Sequence, residues 1–198
     1  MFTSDANPTR IAPVPYALAT DVRDAVVAYH EAVCSPRVLD DDALVGATYD
    51  SLAQTTRDQI ALDDWARRLL EDRIRELQAR LEVVGERVAE RRFWWSRRRP
   101  AGLQPIIDHR TGISVVEVDL VIVDPHLAAA SVVLVLGDQP LRLTGQCWWL
   151  LEHGRWVATE SPVGPAAAAE YGLPEQAEGA GFRWVRAGAA GWEQTRRF

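Results

Sequence analysis

The 198-residue chain reads as an α+β protein: N-terminal helices packed on a curved, cone-like antiparallel sheet, followed by an extended C-terminal tail. Three observations predict this. Before residue 90 the apolar residues recur at three- and four-residue steps, the period of a helix face, whereas from 113 to 151 they come in short valine- and leucine-rich runs. Those runs are separated only by Asp124-Pro125-His126 and Gly137-Asp138-Gln139-Pro140, too few residues for a parallel crossover, so neighbouring strands pair antiparallel. Helices first and strands afterwards is the order of an α+β layout, and at this length one domain is the default.

Residues 1–15, with Pro8, Pro13 and Pro15, read as a flexible arm. The domain proper is expected over 16–162. From Asp21 to Val33, the spacing of Val22, Ala25, Val26, Tyr29 and Val33 predicts a helix with one buried face, stopped by Ser35-Pro36. Asp40-Asp41-Asp42 places acid at the start of a second helix through Ala43 to Ala53, where the helix dipole favours it; adjacent carboxylates point apart, so capping is preferred over ion binding. Thr55-Thr56-Arg57-Asp58-Gln59 holds overlapping capping boxes and predicts the start of a third, longer helix. Along it Asp63 and Arg67, Asp64 and Arg68, Glu71 and Arg75, and Glu76 and Arg80 stand four apart, the spacing of exposed ion pairs. Leu70, Ile74, Leu77, Leu81, Val84 and Val88 alternate four- and three-residue steps, the seam of a short coiled coil that packs on the chain's own sheet or on a second copy. Gly85 and the like charges Glu82, Glu86 and Glu90 weaken helix propensity, leaving residues 82–95 open between helix and strand.

The strands are expected at 113–124, 130–137 and 141–151, the last running into a hairpin at Glu152-His153-Gly154-Arg155. After Pro162 the composition turns to glycine and alanine. Residues 163–198 read as a tail, partly docked through Phe182, Trp184 and Trp192, since those rings are costly to leave in water.

Strand alternation sorts the candidate site residues. Glu117 and Asp119 share one face with Val115, Val121 and Val123; turned into a cavity either acid is a candidate general base, and turned to water they form a solvated face. Adjacent Trp148 and Trp149 must point to opposite sides of their strand. Trp149, with Leu143 and Cys147, belongs to the core; Trp148, with Arg142 and Gln146, is the candidate for a ligand or interface, and Trp156 serves either role. Asp108-His109 reads as part of a turn, and His30 as a satisfied or exposed histidine. "RRFWWSRRR", residues 91–99, surrounds Phe93, Trp94 and Trp95 with arginines, among them Arg97, Arg98 and Arg99. That combination suits buried aromatics with arginines outside, a protein partner, or stacking and phosphate contacts to single-stranded nucleic acid or an anionic lipid surface.

The order of elements, ending in "GQCWWLLEHGRWVATE", resembles the nuclear transport factor 2-like (SnoaL-like) superfamily, with Gly154, Arg155, Trp156 and Val157 carrying the resemblance. It spans about residues 16–160 and departs from the usual pattern in the length of the third helix and the tail beyond Pro162. It implies a curved sheet wrapped around the helices as a cone with an internal cavity. Members include small-molecule cyclases, isomerases and dehydratases as well as non-catalytic binding and assembly modules, so fold alone does not choose among functions.

The net charge of −6 argues against a general nucleic-acid coat. All 22 basic residues are arginine, most simply a GC-rich coding bias. Cys34 and Cys147 are far apart and lack a metal-binding spacing, which predicts buried thiols; no phosphate loop, zinc motif or dinucleotide fingerprint is visible, so no cofactor or metal is expected. Without a spanning apolar run or a signal-peptide pattern, the expected compartment is the cytoplasm. These readings lead to a binding and assembly module that oligomerises, with a dimer the simplest form, through the helix seam and exposed aromatics. The alternative is a cofactor-free isomerase, cyclase or dehydratase holding a small apolar molecule, with Glu117 or Asp119 as base.

Overall fold

The computed structural model describes residues 16–91, 112–136, 142–159, 179–187 and 191–195. Within them four α-helices precede six strands: α1 (Tyr16–Val33), α2 (Asp42–Asp50), α3 (Gln54–Arg57), α4 (Leu62–Arg91), β1 (Ile113–Asp124), β2 (Leu127–Leu136), β3 (Arg142–Glu152), β4 (Arg155–Thr159), β5 (Ala180–Ala187) and β6 (Gly191–Thr195). The strands form one open antiparallel sheet ordered β4-β3-β2-β1-β5-β6. The α+β reading is thus met. None of the described helices is long and apolar enough to cross a membrane.

The helix signals act locally as expected, with shifted ends. α1 buries Ala19, Val22, Val26 and His30, one face at helical spacing. Ser35 caps a 3-10 turn at Pro36–Leu39, and the Asp41 carboxylate accepts from the Leu44 N–H at 3.1 Å, which makes the acidic triplet a cap. α2 ends at Asp50, three residues earlier than expected, because Ser51–Ala53 is recruited as strand-like backbone: Ala53 N–H donates to the Ala158 carbonyl and Ala158 N–H to Ser51, at 2.7 and 2.8 Å. This single parallel bridge, Leu52 to Ala158, covers part of the β4 edge. The Thr55-Thr56 signals sit within a single turn, α3, rather than starting the long helix. Tyr49 pins that turn, its hydroxyl lying 3.2 and 2.8 Å from the carbonyls of Arg57 and Ile60. α4 then runs unbroken through Gly85 to Arg91, about 45 Å at the helical rise, so the segment left open between helix and strand is helical at least to residue 91.

β1 departs from simple alternation. A bulge between Val115 and Glu117 inserts Val116, so Ile113 and Val115 share the buried, helix-facing side with Val118, Leu120 and Ile122. Opposite them, Glu117, Asp119, Val121 and Val123 face away from the helices. Asp124 accepts from the His126 N–H at 2.6 Å to close the β1–β2 turn, and His153 and Gly154, both at positive φ, form the two-residue turn between β3 and β4.

The C-terminal segment, read from its composition as a tail, carries two strands. β5 pairs along β1 from Glu117 opposite Val185 to Ile122 opposite Ala180, and β6 extends the sheet. Aromatic side chains and β-branched neighbours at 182–185 outweigh the surrounding glycine, and an otherwise unpaired β1 edge gives them a partner. Trp184 is fully buried there, stacked on Phe182 at 5.6 Å.

Candidate functional site

Three places on the molecule gather chemistry-bearing residues. The first is α4. Its inward face runs Trp65, Leu69, Arg73, Glu76 and Arg80, with Val83 and Val84 packed on the core further along. Trp65 anchors the start, its indole N–H donating to the buried Thr48 hydroxyl at 3.0 Å. Below it Glu76 accepts from both Arg73 and Arg80, an Arg–Glu–Arg triad in which Arg80 is 1% exposed. The outward face carries the apolar residues. Leu70 is 44% exposed, Ile74 46% and Leu81 62%, with Leu77 half-buried between them. Between residues 70 and 81 the long helix therefore turns charge inward and hydrocarbon outward. The expected Glu76–Arg80 pair forms, but buried; elsewhere Arg67 meets Asp64 at 2.9 Å and Arg75 meets Asp72 at 2.7 Å, at spacing three.

The second place is the sheet face away from the helices. Across it one register row holds Arg183, Asp119, Ser131 and Gln146. The Arg183 guanidinium lies 3.2 Å from Asp119 and 3.6 Å from Glu117, so both candidate bases are ion-paired on a partly exposed sheet face. Pairs of this exposure are worth about 0–1 kcal/mol. Trp148 lies one row along, beside Ala129 and Thr159, and is 3% exposed in a small apolar cluster with Val121, Leu127 and Ala129. Expected at a ligand or interface, it is instead buried within that cluster. Gln146 is exposed, and Arg142 opens β3 opposite Val135. Trp94, Trp95, Arg97, Arg98 and Arg99 fall outside the described residues, as do Asp108 and His109.

The third place is a groove of about 630 Å³ between α1, the end of α2 and the β3–β4 hairpin. Ala25, Ala28 and Ala32 keep its α1 wall low, while Tyr29, Trp149 and Trp156 supply rings. Tyr29 meets Trp149 edge-on at 5.6 Å, and Trp149 is 1% exposed, the core position expected of it. Trp156, left open between two roles, lines the groove and is half-buried. Exposed Asp21 stands on the α1 wall and exposed Arg155 on the hairpin. Neither Glu117 nor Asp119 reaches this groove.

Beneath it lies His30. Its Nδ1 is 2.8 Å from the Val26 carbonyl, which can only accept, so Nδ1 carries the proton; burial lowers the ring's pKa. A Cβ on Gly145 would stand 3.0 Å from His30 Nε2 and from Val132 Cγ2, so glycine lets β3 approach α1 here.

No family model, curated protein or solved structure matches this chain. The functional reading therefore rests on its own geometry. Sequence patterning had singled out Trp156, the α4 seam and the acid pair, but not the triad or the groove. The groove's one legible sign was the small-residue spacing of Ala25, Ala28 and Ala32 beside Tyr29. Nothing in the sequence distinguished the buried Glu76–Arg80 pair from an exposed one.

Proposed function

We propose that this chain is a non-catalytic assembly module that pairs with a second copy of itself along α4. The observation that carries the reading is an exchange of faces in the middle of that helix: Trp65 and Leu69 near its start and Val83 and Val84 further along pack on the core, whereas between them Arg73, Glu76 and Arg80 lie inward and Leu70, Ile74 and Leu81 are exposed. A second copy is the occupant favoured by the symmetry of the stripe. Leu70 and Leu81 lie equally far from the point between residues 75 and 76, and so do Ile74 and Leu77. An antiparallel two-fold pairing about that point sets Leu70 opposite Leu81 and Ile74 opposite Leu77, apolar against apolar with no offset, as an isologous interface requires. Burying the exposed half of each side chain contributes on the order of 1 kcal/mol per residue.

The apolar surface proposed for this contact is aliphatic; among the described residues, Tyr16 is the only large aromatic with an exposed side chain. The resemblance to the nuclear transport factor 2-like superfamily, which includes non-catalytic assembly modules, supports the reading at the level of fold analogy. Sedimentation velocity over a concentration series tests it. The expected result is a reversible dimer that becomes monomeric in Ile74→Glu and Leu81→Glu with unchanged circular dichroism, since both side chains are exposed in the protomer. A wild-type monomer up to the solubility limit, or a dimer indifferent to both substitutions, overturns it.

A further inference from the structure

The apolar stripe of α4 does not by itself fix how two copies pair, because Leu70, Ile74, Leu77 and Leu81 also meet apolar partners in a parallel, in-register alignment. The charges beside the stripe distinguish the two. At about 100° per residue, Arg67, Glu71, Gln78 and Glu82 fall within an arc of about 60° on the side of the stripe away from the core. All four are exposed. Arg67 pairs with Asp64 at 2.9 Å, but with side chains 67% and 53% exposed that contact is weak enough to exchange. Glu82 makes no ion pair or hydrogen bond with another described residue.

We infer that Arg67 and Glu82 set the direction of self-pairing: each arginine reaches across to the glutamate of the second copy, and the two contacts select the antiparallel dimer over a parallel one. The inference rests on pairing along α4 and adds the orientation that an aliphatic stripe lacks. A two-fold about the point between residues 75 and 76 keeps the charged flank on the same side of the interface in both copies. It sets Glu82 of the second copy level with Leu69, two residues from Arg67, or about 3 Å along the axis. Arg67 is the charged residue of that flank nearest the stripe there. With helix axes about 8–10 Å apart, the gap is within the combined reach of an arginine and a glutamate side chain. Symmetry makes the contact twice. In a parallel, in-register pairing, Arg67 of one copy and Glu82 of the other stand 15 residues apart, about 22 Å along the axis, and cannot meet. Charges at an interface rim fix register and steer encounter more than they add affinity, which is the role assigned to this pair.

A double-mutant cycle on dimerisation of the full chain, followed by sedimentation velocity with circular dichroism as the check on folding, tests the assignment. Arg67→Glu and Glu82→Arg each place two like-charge contacts in the dimer, and each should raise its dissociation constant about tenfold. The double variant Arg67→Glu/Glu82→Arg should return to the wild-type value, since both contacts regain opposite signs. The two single variants differ in mass, and an equimolar mixture of them should give the mixed dimer in native mass spectrometry above the share that random pairing gives. Losses that add in the double variant, or single variants that dimerise as the wild type does, would overturn the inference while leaving intact a dimer that Leu81→Glu dissolves. A wild-type chain that stays monomeric overturns the α4 reading and this inference together.

Discussion

His30 and Cys34 bracket the pH range in which the fold is most stable. Burial lowers the His30 pKa below its ordinary 6.5, so as pH falls past that value the unfolded chain takes up a proton that the folded chain refuses, and stability declines toward the lowered folded pKa. Cys34 acts at the other end. Burial, reinforced by the negative charge of Glu76, pushes its thiol up from 9.0 to about 12, so above pH 9 the unfolded chain loses a proton that the folded chain keeps, and stability declines again. Denaturant unfolding across pH should therefore show a plateau from about 6.5 to 9, before carboxylate protonation adds its own loss at lower pH. His30→Asn should flatten the acid limb and Cys34→Ala the alkaline limb; limbs unchanged by these substitutions would refute the assignment. The inward direction of His30 was readable from its four-residue steps after Val22 and Val26. That its ring is neutral was not, since this depends on β3 closing over it at Gly145.

α4 is the element whose internal contacts and external surface compete. Its buried triad places two guanidiniums around one carboxylate, with desolvation opposing every charge. Replacing Glu76 with Gln removes the anion that Arg73 and Arg80 share and should cost about 3–5 kcal/mol, read as a fall in the urea midpoint. A simultaneous change of all three to methionine or leucine removes charge and counter-charge together and should be neutral or stabilising. Retained stability in Glu76→Gln would show that the triad is solvated. The spacing of the charges was visible in the sequence, and so was the apolar seam beside them. Which stripe faced inward was not. Both repeat at helical spacing, so periodicity supplies two candidate faces and leaves the choice to what lies beneath the helix.

At the scale of the whole molecule, the C-terminal strands complete the sheet rather than decorate it. β5 covers the β1 edge, and Trp184 fills the space between that edge and α1, with Arg23 over its ring at 5.4 Å and over Trp192 at 5.9 Å; the Arg186 guanidinium, over Trp192 at 5.0 Å, also reaches Glu31 at 2.9 Å. Trp184→Ala should cost about 3–5 kcal/mol, measured by thermal and denaturant unfolding, as for a large core ring. A loss under about 1 kcal/mol would return residues 180–195 to the status of a loosely attached tail. By itself the sequence determined the α+β class, the order of helices before strands, the antiparallel pairing, the stop of the first helix at Ser35-Pro36, the acidic cap within Asp40-Asp41-Asp42, the opposite directions of Trp148 and Trp149, and the His153-Gly154 hairpin. All of these depend on interactions within a few residues or on the fixed periods of helix and strand. Only the tertiary structure decided the bulge at Val116, the recruitment of Ser51–Ala53 and β5–β6 to the sheet, the burial of the α4 charges and the groove beside Trp149. Each of these is set by which surfaces meet across long sequence separations, and short-range patterning carries no record of that.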